Sequence, residues 1–489
     1  MRIIDRLQIR KTIAVLGIVL LVFSLIPIMW VSIYNHPTGD DIFYGLEAHQ
    51  AWEESGSVMQ TLVAATKGVV SDYYRWQGTF VALLIMRLQP TVFGESWYIL
   101  TPFIVVGLLL GGFLYALTKV AKYILPMDKW DIFAIWSVVS FVMIQWVHVV
   151  GEAFYWFNGA VYYSGFWGVM LFGIGIVIEW CNTQKKHYVP LLFCVAIMIG
   201  GSNYITLLLS LILLTITFLF LLWRKRGSGL VIGLSNIILL VCLVISAMAP
   251  GNEFRRASIY ASLSVPAAIV ASLSQGFAYI DAWASGWWLL GIVFLLPTMI
   301  HIIVRSKYSF AHPGIVVSFL YGIFCAMQCP TMYAEASTGP GRVLNVIWYG
   351  MVLFSYLAIF YILGWIYRKL RVDILTNKKA MLETWIFVVT IFLVVQCGIG
   401  LKNDSIKNMT TMKAVSDLTS GRAKAYDVEY RERLEVLKNS EDMDIVFSEY
   451  VHKPKTVYVG DYSSDVMQGS NVHLAKWYNK NSVRVEYGE

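Results

Sequence analysis

The sequence predicts an all-α polytopic membrane protein with about eleven transmembrane helices and a small external α/β C-terminal domain. Of the 489 residues, 57% are hydrophobic and only 14% are charged, whereas about a quarter of the residues in a soluble domain are charged. Apolar runs of about twenty residues recur from Thr12 to Gly400, and each is long enough to cross roughly 30 Å of hydrocarbon as a helix. These runs do not alternate polar and apolar residues, which excludes a membrane β-barrel.

The expected spans follow directly from these runs. They cover residues 12–34, 97–117, 132–150, 161–180, two shorter spans between 187 and 223 broken at 200–203, and then 230–248, 286–304, 314–329, 343–366 and 384–400. The N-terminal run lacks a small-residue cleavage site after it, so we interpret it as a retained first span. No internal repeat is apparent, so the inverted-repeat signature of many transporters is missing.

Clusters of Lys and Arg between the spans predict the orientation, because such clusters are enriched in cytoplasmic loops. With the cluster at residues 2–11 inside, the others fall on the same side: Lys119/Lys122, Lys185/Lys186, Arg224 to Arg226, Arg305/Lys307 and the cluster at 368–379. We therefore expect a multi-pass protein of the bacterial cytoplasmic membrane, with a cytoplasmic N-terminus.

Three external segments follow from this topology. Segments 35–96 and 251–285 contain apolar residues at helical spacing among polar ones, notably at 58–70 and 80–88, which predicts helices lying in the membrane interface. Residues 1–400 form the predicted transmembrane domain, and residues 401–489 form the external α/β domain. Short strands are predicted there at 444–447 and 456–459, after a charged helical stretch at 429–438.

The six cysteines match neither a zinc motif nor a disulfide framework, and we interpret them as small apolar residues. Charged residues on the external side are more informative. Four arginines lie there, where the positive-inside rule predicts few: Arg75, Arg255, Arg256 and Arg342. They either extend to lipid head groups or form a phosphate site, since guanidinium groups bind phosphate oxygens in two-pronged geometry.

Two adjacent carboxylates, Asp40 and Asp41, directly follow the first span. One of them could cap a following helix, because Asp is favoured at the N-cap. For the other, a general base or a metal ligand at the membrane surface is the expected role. The sequence leaves the assignment open, with a preference for Asp41 as the base.

A dense aromatic and polar cluster occurs at the outer end of the third span, with Glu152, Trp156, Asn158 and Tyr162. Interfacial belts are rich in Trp and Tyr, but aromatic faces beside directional polar groups also favour a sugar-binding cleft. Two Pro-Gly turns at the same surface carry Asn252 before Arg255, and Arg342 before Asn345. A turn explains each Pro-Gly pair but not the arginine that follows it.

These motifs, taken in order, resemble the GT-C superfamily of membrane glycosyltransferases, and within it bacterial O-antigen glucosyltransferases and their Gram-positive relatives. The resemblance covers the membrane region and rests on five stretches: Asp40-Asp41, Tyr74-Arg75-Trp76-Gln77-Gly78, Trp156-x-Asn158-Gly159, Ala-Pro-Gly-Asn-x-x-Arg ending at Arg255, and Gly341-Arg342-x-x-Asn345. Thr79 stands where such relatives often have an arginine.

The resemblance implies a polyprenyl-phosphate-linked sugar, such as an undecaprenyl phosphate derivative, as donor. It implies inverting transfer on the external face to a cell-surface polysaccharide or teichoic-acid-like acceptor. Asp41 or Asp40 would be the base, and Arg255, Arg256 and Arg342 would bind the donor phosphate. Substrate contacts would come from Arg75, Trp76, Glu152, Trp156, Asn158, Tyr162, Asn252 and Asn345. A divalent metal is left open, and no nucleic acid is expected.

Two alternatives come from other functional classes. A transporter or flippase of lipid-linked glycans should carry charges near the bilayer midplane, along a path between two gates. Here the polar residues gather at one surface, which favours chemistry over transport. A non-catalytic envelope assembly protein is disfavoured by the clustered acids and arginines.

Overall fold

The structure, a computed structural model, describes residues 3–257, 261–370 and 378–488. Within these ranges, eight helices are long and apolar enough to cross a membrane: Ile9–Tyr34, Glu95–Tyr123, Phe157–Thr183, Tyr204–Trp223, Gly229–Ala247, Gly286–Arg305, Pro313–Glu335 and Gly341–Leu370. Tyr188–Gly200 and Trp385–Gly400 are shorter apolar helices. The predicted multi-pass, helical membrane protein is therefore confirmed, and the count of eleven spans stays a prediction.

The helices in chain order are α1 (Ile3–Trp30), α2 (Asp40–Ser55), α3 (Val58–Arg75), α4 (Phe80–Arg87), α5 (Thr101–Tyr123), α6 (Lys129–Gln145), α7 (Phe157–Ala160), α8 (Phe166–Thr183), α9 (Tyr188–Gly200), α10 (Tyr204–Trp223), α11 (Gly229–Ala247), α12 (Gly251–Ala257), α13 (Val265–Trp283), α14 (Gly286–Arg305), α15 (Pro313–Ala326), α16 (Cys329–Glu335), α17 (Gly341–Leu370), α18 (Lys378–Lys402), α19 (Thr410–Thr419), α20 (Arg422–Asn439) and α21 (Gly469–Trp477). Two strands, β1 (Asp444–Ser448) and β2 (Ser482–Glu486), pair in parallel. Short 3-10 turns cover Val31–Tyr34, Pro90–Phe93 and Glu95–Leu100, and π-helical turns cover Gly151–Tyr155 and Val161–Gly165.

Close helix packing in the bundle depends on glycines, as is usual where helices meet inside a membrane. A Cβ atom at Gly112 of α5 would lie 2.0 Å from the carbonyl oxygen of Gly168 in α8. A Cβ atom at Gly17 of α1 would lie 2.3 Å from the hydroxyl of Ser137 in α6. Glycine at these positions lets the backbones approach.

Ion pairs fix the end of the bundle that the sequence places in the cytoplasm. Arg10 lies 2.7 Å from Asp128 and 2.7 Å from Asp131, which joins α1 to α6. Lys119 lies 2.7 Å from Glu179, which joins α5 to α8. The predicted basic cluster at 368–379 lies partly outside the described residues.

The predicted break at 200–203 separates two helices in the structure. Helix α9 ends at Gly200 and α10 begins at Tyr204. Asn203 caps α10, because its side-chain oxygen accepts the backbone N–H of Thr206 at 2.9 Å. The carbonyl of Gly201 accepts the N–H groups of Val81 and Ala82, so α4 of the external segment lies against this break.

The segment 35–96, predicted to be external, contains the two predicted helices as α3 and α4, and also α2, which the sequence did not predict. Helix α2 begins at Asp40, and Gly39 with φ 51° takes the N-cap position without a side-chain cap bond. The alternative in which Asp40 caps the helix is therefore wrong. Segment 251–285 forms α12 and α13.

The residues after 400 form α19, α20, β1, α21 and β2. The strand predicted at 444–447 is present in β1. The strand predicted at 456–459 is wrong, because these residues form no strand and β1 pairs with β2 instead. Thr456 is instead tied to Asp417, which accepts both its N–H at 2.9 Å and its hydroxyl at 2.8 Å. Parallel strands need a long crossover, and the residues from 449 to 481 with α21 supply it.

This C-terminal segment packs directly on α2. Ile42 and Leu46 of α2 share an apolar cluster with Trp477 and Val485. The ring of His49 stacks on Trp477 with centroids 4.0 Å apart. Helix α2, whose first turn carries the two acids, therefore packs against the C-terminal segment.

Candidate functional site

Asp41 is fully buried at the first turn of α2. Its carboxylate accepts the N–H of Thr38 at 3.1 Å, the N–H of Asn158 at 3.3 Å and the hydroxyl of Tyr98. The same hydroxyl accepts the N–H of Phe157 at 2.9 Å. These bonds join the start of α2 to α7 and to the entry of α5. Burial raises the pKa of Asp41 to about 7, although the three donors act in the opposite direction.

Asp40, one residue earlier, has a different environment. Its side chain is exposed, whereas that of Asp41 is not. Partial desolvation raises the pKa of the Asp40 carboxyl, and the positive charge of Arg342 opposes that rise. The structure therefore brings Asp40 within the electrostatic influence of Arg342, 302 positions later in the chain.

Arg342 lies in the first turn of α17. Its backbone N–H donates to Oε2 of Glu152 at 2.6 Å, and its guanidinium lies 3.6 Å from the same oxygen. The guanidinium also lies 5.3 Å from the ring centre of Trp156, within cation–π distance. A Cβ atom at Gly341 would lie 2.3 Å from Val149, so the close contact between α17 and this turn requires glycine. Glu152, Trp156 and Arg342 thus form one unit.

Polar atoms without partners lie beside the two acids. The side-chain oxygen and nitrogen of Asn158 and the indole nitrogen of Trp156 are buried and make no hydrogen bond among the described residues. Buried polar groups are almost always paired in native proteins. These three atoms therefore have unused hydrogen-bonding capacity among the described residues, and they include both donors and an acceptor.

Asn345 is placed differently from the other predicted contact residues. It is fully buried, and its oxygen accepts the N–H groups of His148 at 2.8 Å and Val149 at 3.1 Å. Its amide donates to the carbonyl of Val149 at 2.9 Å. Asn345 therefore positions the turn that carries Glu152, and its own side chain is occupied by backbone.

The Tyr74–Gly78 stretch and the 249–255 turn meet in the structure. A Cβ atom at Gly251 would lie 2.2 Å from the backbone nitrogen of Trp76, and one at Gly78 would lie 2.2 Å from the carbonyl oxygen of Ser246. Asn252 donates to Ser246 at 2.7 Å, which closes the C-terminal end of α11. These two motifs form one corner of the site.

Tyr44 connects this corner to the acids. Its phenol is hydrogen-bonded to Trp76, and burial, followed by the charge of Asp40, raises its pKa. Tyr162 lies nearby, with its hydroxyl 3.4 Å from that of Thr79 and its carbonyl accepting the amide of Asn203 at 2.6 Å. Trp76 and Tyr162 therefore border the same region as Asp40.

The other three predicted arginines lie in α3 and α12. Arg75 is exposed at the end of α3 and forms no ion pair with another described residue. Arg255 and Arg256 belong to α12, but their side chains lie outside the described residues. Among the described arginine side chains of this set, Arg342 is therefore the one whose charge acts on Asp40.

One charged cluster next to the site was missed by the sequence reasoning. Arg87 of α4 is buried and binds Asp72 of α3 at 2.7 Å and Glu47 of α2 at 2.7 Å. A Cβ atom at Gly68 would lie 2.0 Å from this guanidinium. The sequence feature that could have predicted this cluster is Arg87 at the end of the apolar helix α4, together with an acidic residue in α2 and another in α3. The cluster ties together α2, α3 and α4.

Metal ligation was left open by the sequence. Among the described residues, one group of acids and histidine has ligand atoms close enough for an ion, namely Asp128, Asp131 and His301. Arg10 binds both of these aspartates, so a cation already balances their charge. The group lies at the basic end of the bundle, far along the helices from Asp40.

No family model and no curated protein matches the chain. The functional argument therefore rests on the residues themselves. They combine an exposed carboxylate, an immobilised guanidinium, aromatic faces and unpaired polar atoms at one end of a membrane bundle.

Proposed function

We propose that this protein is a glycosyltransferase of the GT-C type, which moves a sugar from a polyprenyl-phosphate carrier to a cell-surface glycan on the external face of the bacterial cytoplasmic membrane. The observation that carries the proposal is the guanidinium of Arg342, which Glu152 and Trp156 hold in place and whose charge opposes the raised pKa of exposed Asp40. A base and a phosphate-binding cation at one site are what this transfer requires.

The chemical step uses these two groups in a single displacement. Asp40 accepts the proton of an acceptor hydroxyl while that oxygen bonds to the anomeric carbon from one face. The bond between the anomeric carbon and the phosphate oxygen breaks on the opposite face, so the configuration inverts. The electron pair passes to the leaving phosphate, and the guanidinium of Arg342 stabilises the negative charge that grows there.

Asp40 is a better base than Asp41, contrary to the preference drawn from the sequence. A general base must reach the proton it abstracts. Asp40 is exposed, whereas Asp41 is buried and accepts hydrogen bonds from Thr38, Tyr98 and Asn158. Asp41 therefore acts as a positioning residue that fixes the first turn of α2 and the backbone of Asn158.

Substrate recognition in this proposal comes from the groups around the two charges. The half-buried ring of Trp156 covers an apolar sugar face, whereas Asn158 is only 2% exposed and its backbone N–H is bound to Asp41. Arg75, Arg255 and Arg256 extend the positive potential toward the anionic lipid carrier or a phosphate-containing acceptor such as a teichoic-acid-like polymer. The lipid chain of the carrier stays in the bilayer beside the helices.

The test uses the purified full-length protein in liposomes with a panel of radiolabelled polyprenyl-phosphate sugars. Release of free polyprenyl phosphate in the presence of cell-wall polymer, together with label in that polymer, would support transfer. The Asp40→Asn variant controls for contaminating activity. Movement of lipid-linked glycan between leaflets without any transfer would contradict the proposal and favour a flippase instead.

A further inference from the structure

A large cavity lies on the basic half of the bundle, away from Asp40 and Arg342. Its volume is about 480 Å³, within the range of small-molecule sites. Helices α8, α9, α10 and α11 surround it, with side chains such as Met170, Val177, Leu192, Ala196 and Leu213 forming an apolar wall. The described residues thus form a site that the proposed transfer reaction does not use.

The cavity is open on one side and lies among apolar helices, so its surroundings supply whatever fills it. Water is a poor occupant, because a stable buried water needs several polar partners and this wall is mainly apolar. Hydrocarbon is the remaining abundant occupant for a cavity between membrane helices.

The cavity also has polar lining residues, which include Asn182, Arg226 and Tyr308. Asn182 lies in the last turn of α8, and Arg226 follows the C-terminal end of α10. Arg226 is exposed and forms no ion pair with another described residue. The basic residues Lys185, Lys186, Arg224 and Lys225 lie on the same two connections. A cation above an apolar cavity matches an anionic head group above a hydrocarbon chain.

We infer that this cavity holds one acyl chain of an anionic glycerophospholipid from the leaflet at the basic end of the bundle, with its phosphate at Arg226. The site is separate from the proposed donor site, because the donor phosphate lies at Arg342 on the opposite side. A bound chain here fills the space between α8 and α10 and stabilises the bundle that positions the external helices.

The test measures lipid bound to the detergent-purified protein by native mass spectrometry. Phosphatidylglycerol, phosphatidylcholine with identical chains, and polyprenyl phosphate are added separately. We expect one retained phosphatidylglycerol and weaker binding of phosphatidylcholine. Ala196→Phe, which fills the cavity, should remove this adduct. Ile197→Phe is the matched control, because Ile197 is the next residue of α9 and is 44% exposed.

A second pair of variants tests binding of the lipid head group. These variants add no volume to the cavity, so they do not disturb the packing of the bundle. Arg226→Gln should reduce the preference for phosphatidylglycerol over phosphatidylcholine by roughly tenfold, as expected for loss of one charge-assisted contact. Lys67→Gln should leave it unchanged, because Lys67 is exposed on α3 and does not line the cavity. Equal lipid binding by Ala196→Phe and Ile197→Phe would overturn the cavity assignment. An unchanged preference in Arg226→Gln, or displacement of phosphatidylglycerol by polyprenyl phosphate, would overturn the phospholipid assignment.

Discussion

Glu152 binds Arg342 through its backbone and its side chain at once. One carboxylate oxygen accepts the backbone N–H at 2.6 Å and lies 3.6 Å from the guanidinium. The contact fixes the first turn of α17 against the turn after α6, although the two residues are 190 positions apart. Glu152 thereby holds the guanidinium whose charge opposes the raised pKa of Asp40.

The first prediction separates the two acids. Asp40→Asn should lower sugar transfer by about 10² to 10⁴-fold, the usual contribution of a general base, with folded protein near the parental level. Asp41→Asn should mainly lower the yield of folded protein, because Asn replaces one of two acceptor oxygens with a donor facing Tyr98, Thr38 or Asn158. Transfer assays and fluorescence-detected size exclusion measure the two effects.

Glu54→Gln is the matched control for these variants, because Glu54 is an exposed acid on the last turn of α2. It should change neither transfer nor folding. If Asp40→Asn transferred sugar at the parental rate, the base would lie elsewhere, and Glu152 would be the next candidate.

The second prediction concerns the phosphate site. Arg342→Ala should reduce transfer far more than it reduces folded protein, and Arg342→Lys should restore only part of the activity, since an ammonium lacks the planar fork. Arg255→Ala should also weaken donor use, and Arg256→Ala should do so to a smaller extent. Steady-state kinetics with varied donor concentration measures these effects. Parental activity in both Arg342→Ala and Arg255→Ala would contradict the assignment.

The third prediction is a pH effect with a defined sign. Asp40 must be ionised to act as a base, and its pKa lies above the ordinary carboxyl value. Activity should therefore fall as pH is lowered through that raised pKa. Arg342 opposes the rise, so Arg342→Gln should move the acid limb of the residual activity to higher pH. The pH profile of kcat/KM measures this, and an unmoved limb would show that the two charges are not coupled.

The fourth prediction concerns the missed charge cluster. Arg87→Ala leaves Asp72 and Glu47 without their shared cation. Asp72 is buried whereas the Glu47 side chain is 51% exposed, so the cost of about 3–5 kcal/mol for breaking a buried pair applies to Asp72. We expect a clear fall in the thermal unfolding temperature of the detergent-solubilised protein. Lys67→Ala is the control, because Lys67 is exposed on the same α3 helix. Equal melting temperatures for both variants would rule out a stabilising role.

The fifth prediction is topological. Eleven spans with a cytoplasmic N-terminus, as predicted from the sequence, would place the C-terminal segment outside, and this segment packs on α2. A tag at Glu489 should therefore react with membrane-impermeant reagents in intact cells. A tag at Met1 should react only after permeabilisation. Labelling in the reverse pattern would contradict the orientation.

Features that depend on nearby residues were predictable from the sequence alone. The composition predicts a membrane protein. Two glycines and the N-capping Asn203 predict the break before Tyr204. The helical spacing of apolar residues predicts α3 and α4. Each of these is a local property, because hydrophobic length, capping and periodicity act within one or two turns of chain.

Features that depend on distant partners were decided by the tertiary structure. The environments of neighbouring Asp40 and Asp41 differ, because Tyr98 and Asn158 donate hydrogen bonds to the Asp41 carboxylate. β1 pairs with β2 and not with residues 456–459, because Asp417 holds Thr456 elsewhere. Such contacts join residues tens to hundreds of positions apart, and their strength depends on burial and distance, which arise only when the chain has folded.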